Sequence, residues 1–224
     1  GADVVRFHSE VPLADVPESL NHHLGTQRIE DLQMRDGATV EKARRAKNRA
    51  TKGLLRISKA IESDGPRLFE LYEKTLERHR GSLRYGVDYF RAIAPIATLV
   101  ARDDQRICGF VSFASLRGRA CYLHGAHDPI AKGLYPSDQL FYQMITTAKS
   151  VGETCFDFLP SPPGQESLIR YKQAWGSEAG TFVASDDEIH HIRSKALSAS
   201  RVLSKWLPRQ VLARLVSYGR GRGI

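Results

Sequence analysis

The stretch "IATLVARDDQRICGFVSFASLRGRACYLHGAHD", residues 96–128, decides the fold. It holds three apolar, β-rich runs punctuated by two tight turns. The pattern predicts a strand ending at Ala101, a turn at Asp103-Asp104, a strand from Ile107 to Leu116, a turn at Arg117-Gly118 and a strand from Ala120 to Ala126. Loops this short join antiparallel neighbours, so the stretch reads as a three-stranded meander.

Working downstream, "YPSDQLFYQMITTAKSVG" (135–152) predicts a helix opened by Ser137 as N-cap and ended by Gly152. "TCFDFLP" is a strand, "QESLIRYKQAWG" a helix starting near Gln165, and "GTFVA" a last strand. Upstream, "TVEKARRAKNRATK" (39–52) is a helix ended by Gly53, and "GLLRISKA" a strand. "SDGPRLFELYEKTLERHRG" is a helix with Pro66 in its first turn, an apolar face of Leu68, Leu71, Tyr72 and Leu76, and Gly81 at its end. "VDYFRAIAP" is a shorter one. The whole is an α/β (α+β) chain with a mixed, mostly antiparallel sheet over 54–58, 97–102, 107–116, 119–126, 154–159 and 180–184, flanked by helices. Residues 1–36 have no strong period; a short helix after Pro17 and a short strand in "TQRIEDLQM" are expected there. Residues 37–185 form the main domain, and 186–224 a basic helical extension. Its apolar residues Val202, Leu203, Trp206, Leu207, Val211, Leu212 and Leu215 read as a docked helix pair, with a peripheral membrane contact as the alternative.

Bulk properties narrow the partners. The chain has 224 residues, 42% hydrophobic and 26% charged, as in an ordinary globular protein. No apolar run approaches the length of a membrane span, and the N-terminus shows no secretory pattern. Cys108, Cys121 and Cys155 are odd in number and widely spaced, which argues against both a disulfide framework and a zinc site. His22-His23 and His190-His191 lack partners at ligand spacing, so no metal is expected. These features read as a cytoplasmic protein, with the inner face of the membrane as an alternative place. The net charge of +8 favours anionic partners such as nucleic acid or phosphorylated ligands.

The order helix, helix, meander, helix, strand, helix, strand resembles the GNAT superfamily of acyltransferases. The resemblance is carried by "EKARRAKNRATKGLLRISKA", by "YPSDQLFYQMITTAKSVGETCFDF" and by "LIRYKQAWGSEAG", over roughly residues 28–185. Within that superfamily it points to the Fem-type branch of peptidoglycan bridge aminoacyltransferases and to related envelope-polysaccharide acetyltransferase-like domains. The Arg/Gln-x-x-Gly-x-Gly/Ala pyrophosphate loop of acetyl-CoA enzymes is absent; "YPSDQL" stands at that turn, and Ser137, Asp138 and Gln139 still leave backbone N–H groups at a helix N-terminus. The resemblance implies transfer of an acyl or aminoacyl group from acyl-CoA or aminoacyl-tRNA to an amine of a small or nucleotide-linked acceptor, as in cell-envelope biogenesis. The alternative is a non-catalytic module of the same fold that binds tRNA, a nucleotide-linked sugar or a membrane surface.

Candidate residues follow from this reading. Lys172, three residues before Trp175-Gly176, is placed to meet a donor phosphate or a developing oxyanion from the edge of a cleft. Asp157, between Phe156 and Phe158, points to the opposite face from both and can orient an amine or act as base; equally, it can accept hydrogen bonds from a neighbouring loop. His124, with His127 and Asp128 close behind, ends the central strand, where an imidazole suits general base work. Lys42, Arg45, Arg49 and Lys52 share one helical stripe with no acid beyond Glu41 to pair them, so they are read as phosphate-binding. Tyr135, Ser137, Tyr171 and Trp175 complete the expected substrate-binding set.

Overall fold

The structure, a computed structural model, describes residues 4–9, 21–34, 40–79, 81, 83–104, 106–116, 118–161 and 164–188. In chain order the elements are β1 (Val4–Ser9), β2 (Asn21–Ile29), α1 (Glu41–Ala50), β3 (Arg56–Lys59), α2 (Gly65–His79), α3 (Val87–Ala97), β4 (Thr98–Asp103), β5 (Arg106–Leu116), β6 (Arg119–His127), α4 (Pro136–Ser150), β7 (Cys155–Asp157), α5 (Glu166–Gln173) and β8 (Glu178–Glu188), with 3-10 turns at Glu62–Asp64 and Pro129–Leu134. Two units form. The larger comprises Leu24–Tyr72 and Val87–Phe182; the smaller comprises Gly1–His23, Glu73–Gly86 and Val183–Ile224. In the smaller unit β1 pairs antiparallel with the second half of β8, from Ser9 opposite Val183 to Val4 opposite Glu188.

The larger unit holds a seven-stranded sheet in the order β8-β2-β7-β6-β5-β4-β3. The meander is present as expected: β4 pairs with β5 and β5 with β6, both antiparallel. β6 and β7 run parallel, joined by the crossover through α4, which makes the sheet mixed. Along β5, Val111 and Phe113 belong to the core beneath α4, while Phe110, just before them, meets Phe90 of α3 on the other face. Period-two alternation thus serves two helical layers, and the strand reads as a continuous apolar run because both of its faces are covered.

Three expectations are corrected here. Asn21–Ile29 is one strand within the sheet: the short strand expected in "TQRIEDLQM" is present over residues 26–29 but starts earlier, and no helix runs through residues 21–25. The reason is chemical: Thr26, Gln27 and Arg28 are buried polar residues whose partners lie on other elements, so the strand shows no apolar period. α4 is not capped by Ser137; it begins at Pro136, and the N-cap is Tyr135 with a left-handed φ of 54°. The final strand continues through residues 186–188 where helix was expected, and the rest of the expected extension, with its apolar face, lies outside the described residues, as does the expected start after Pro17. Cys108, Cys121 and Cys155 are free. Among the described residues no helix is long and apolar enough to cross a membrane.

Candidate active site

All the candidate residues lie in the larger unit. The site grows from the place where β6 and β7 part. Their ladder runs only from Arg119 opposite Cys155 to Cys121 opposite Asp157, yet β6 continues to His127. β7 stops at Asp157 and the chain turns sharply through Leu159, whose φ of 56° is left-handed and unfavourable for a residue with a Cβ. Two side chains hold that turn. Asp157 Oδ1 accepts the Leu159 N–H at 2.7 Å, and Lys172 Nζ donates to the Leu159 carbonyl at 2.7 Å.

Asp157 is only 1% exposed and serves three donors: Leu159 N–H, Thr26 Oγ1 at 2.5 Å and Arg28 Nε at 2.8 Å. A carboxylate has about four lone-pair sites, so most of its capacity is spent on holding β2, β7 and the turn together. Of the two readings of Asp157, this geometry favours the acceptor that holds a neighbouring loop over the base or amine anchor. It does point away from Phe156 and Phe158, both of which lie in the core.

Lys172 departs from its expected position too. It is 2% exposed, beneath the surface rather than at a cleft edge. Burial lowers its pKa to about 8, a drop that the nearby Asp157 carboxylate opposes. An ammonium has three protons to donate, and the Leu159 carbonyl takes one. The neighbouring thiols make poor nucleophiles. Burial and then Asp157 raise the Cys121 pKa, while burial and then Glu30 push Cys155 up to about 12.

His124 owes its setting to a bulge. Phe113 pairs with Tyr122 and Ser112 with His124, leaving Leu123 as the extra residue. Residues two apart would ordinarily share a face; the extra residue instead puts Tyr122 against Phe141 of α4, centroids 5.1 Å apart, and His124 against α3. There Tyr89 Oη lies 2.7 Å from His124 Nε2, with Tyr72 and Phe90 rings packed around the imidazole. Cys121, by alternation with core residue Ala120, faces the same side as Asp157 and His124, and His124 lies roughly 10 Å further along β6. His127 is turned to a structural partner, its Nδ1 lying 2.9 Å from Ser137 Oγ. Asp128 caps the following turn through Ile130 N–H and pairs with Arg67.

The basic stripe divides. Arg45 pairs with Glu41 on the exposed surface and Lys52 is exposed, but Lys42 and Arg49 turn inward to an acid the stripe reading overlooked. Asp138, in the first turn of α4, takes Lys42 Nζ at 3.0 Å on Oδ1 and Arg49 Nη1 at 2.8 Å on Oδ2. Tyr171 Oη donates to the same Oδ1 at 3.1 Å, and burial, followed by Asp138, raises the Tyr171 pKa. Lys42 Nζ stands 4.2 Å over the Tyr171 ring and 5.5 Å from that of Trp175, and the Arg49 guanidinium 3.6 Å over Tyr135. Trp175 is buried in the turn after α5 and stacks on Phe141 at 5.8 Å. Asp138, Arg28, Thr26 and Tyr89 are the residues that sequence reasoning missed as partners; each pairs across a long sequence separation and leaves no local signal. Among the described residues no group of three His, Cys, Asp or Glu could hold a metal ion.

A family model of the acetyltransferase (GNAT) domain matches residues 38–173. Similar solved structures include FemX, 13% identical with a TM-score of 0.57, covering 77% of this chain and 63% of that one. Another is L-PGS from Bacillus licheniformis, 16% identical with a TM-score of 0.56, covering 82% and 66%. A third is the C-terminal domain (DUF2156) of a protein described as a lysylphosphatidylglycerol synthetase from Agrobacterium fabrum, 14% identical with a TM-score of 0.55, covering 83% and 67%. The chain thus spans less than two thirds of FemX. No curated protein matches it.

Proposed function

Because the chain belongs to the GNAT acetyltransferase domain family, we propose that it is an N-acyltransferase in which Lys172 stabilises the transition state of acyl or aminoacyl transfer to an amine. One observation carries this: a buried ammonium with donors to spare, fixed where β6 and β7 part. The acceptor nitrogen forms a bond to the acyl carbon, and the carbonyl π pair moves onto oxygen. A preorganised cation stabilises that oxyanion without reorganising. Collapse of the adduct expels the donor's leaving group, a thiolate from acyl-CoA or a ribose alkoxide from aminoacyl-tRNA, which takes up a proton. The attacking nitrogen loses one proton, and His124, poised by Tyr89, is assigned to receive it. Asp157 acts through others, keeping Lys172 charged and the Leu159 turn closed. The raised pKa values of Cys121 and Cys155 favour direct attack over an acyl-cysteine intermediate.

The lysyl group in the name of one structural neighbour accords with an aminoacyl donor, and the envelope setting of the acceptor follows the Fem-type resemblance. The test is transfer of a labelled acyl group from acetyl-CoA and from charged tRNA to amine acceptors, UDP-linked muropeptide among them. Lys172→Met should lower turnover by about a hundredfold or more, and Lys172→Arg should restore part of it. Absence of transfer from every donor, with anionic ligands still raising the melting temperature, would make the protein a binding module instead.

A further inference from the structure

The first turn of α4 gathers what an anion needs and then fills the place from within. The opening N–H groups and dipole of a helix favour negative charge, and α1 brings two cations to the same point. An acid in a first turn is common, but here Asp138 also receives Lys42, Arg49 and the Tyr171 hydroxyl from two other helices. Both cations are further fixed over aromatic rings, Lys42 over Tyr171 and Arg49 over Tyr135. We propose that Asp138 is a specificity-determining residue: its carboxylate occupies the seat that a donor phosphate would take, so the protein rejects donors gripped by a diphosphate at this helix end. A phosphate entering there would face a fixed like charge in a part-buried setting, and it would have to break two charge-assisted bonds and a tyrosine bond to displace it. Donors whose anionic backbone is held elsewhere escape that penalty. The inference concerns donor choice and so rests on the acyl-transfer reading, but it is tested without reading activity.

The experiment titrates the whole protein with inorganic pyrophosphate and with coenzyme A at fixed ionic strength, by calorimetry and thermal shift. Asp138→Asn removes the charge and keeps the shape. It should bind pyrophosphate at least about tenfold more tightly than the wild type. Adding Lys42→Met should abolish the gain. Equal or weaker binding by Asp138→Asn would overturn the proposal. Should that variant fail to fold, wild type and Lys42→Met decide: equally weak pyrophosphate binding supports the proposal, and a wild-type affinity that collapses on losing Lys42 overturns it. An inactive but correctly discriminating protein would sink the acyl-transfer reading and leave this one standing.

Discussion

Lys172 and Asp157 are coupled, and the coupling has a sign that pH can read. Below about 8 Lys172 is an ammonium able to meet an oxyanion; above it the group is increasingly a neutral amine. Turnover should therefore fall as pH rises past about 8, and the residual activity of Lys172→Met should lack that limb. Asp157→Asn removes the charge that holds the ammonium up, so the limb should move to lower pH. The same substitution removes the Asp157 charge from buried Arg28 and should lower the melting temperature. Stability carries the opposite sign at Lys172. Its folded value lies below the ordinary 10.5, so between about 8 and 10.5 the unfolded chain binds more protons at this residue. Wild-type stability relative to Lys172→Met should rise with pH through that window. An unfolding series at several pH values that showed it falling would mean the ammonium is stabilised, not strained, in the fold.

At the scale of elements, what was legible in the sequence was what neighbours in the chain decide. The meander of β4, β5 and β6 showed itself because two tight turns leave antiparallel pairing as the only short closure. β2 showed itself only in part, as a short strand from Thr26, because its buried Thr26, Gln27 and Arg28 are solvated by Asp157 and Ser177, more than a hundred residues away, and leave no apolar period to mark its full extent. The stripe on α1 misled for the same reason: Lys42 and Arg49 answer to Asp138, which no local pattern on α1 announces. The difference is measurable. Arg49→Glu should set like charges together and destabilise the fold by on the order of 1–3 kcal/mol, whereas Lys52→Glu should change stability by less than about 0.5 kcal/mol. The bulge at Leu123 gives a sharper test. Deleting Leu123 keeps Tyr122 opposite Phe113 and His124 opposite Ser112, so both stay on their present faces and the melting temperature should shift little. It also removes the extra bend of β6, which we expect to set the parting of β6 from β7. Folded protein with turnover reduced about tenfold or more would follow; unimpaired turnover would show that the bulge is incidental to the site.

Over the whole molecule, the distribution of charge matters more than its total. Four buried or half-buried acids of the larger unit are matched: Asp64 with Arg102, Asp128 with Arg67, Asp138 with Lys42 and Arg49, and Asp157 with Arg28. These pairs contribute little to an outward field, so the net charge of +8 is expressed by other, exposed cations. On α1 and just beyond it these include Arg44, Lys47 and Lys52, all solvent-facing on a helix whose other face packs on α4. A polyanionic donor such as tRNA would release counterions on meeting that face, and its binding would weaken steeply with salt. A small donor such as acyl-CoA would show a shallow dependence. Replacing Arg44, Lys47 and Lys52 together by Gln should leave the melting temperature nearly unchanged, because exposed charges contribute little to stability. With charged tRNA as donor, the same variant should raise KM and lower the slope of log affinity against log salt by about 2–3 units, since each lost phosphate contact removes roughly 0.9. A slope that stays put in the variant, with KM unchanged, would place the polyanion contact on another face of the protein.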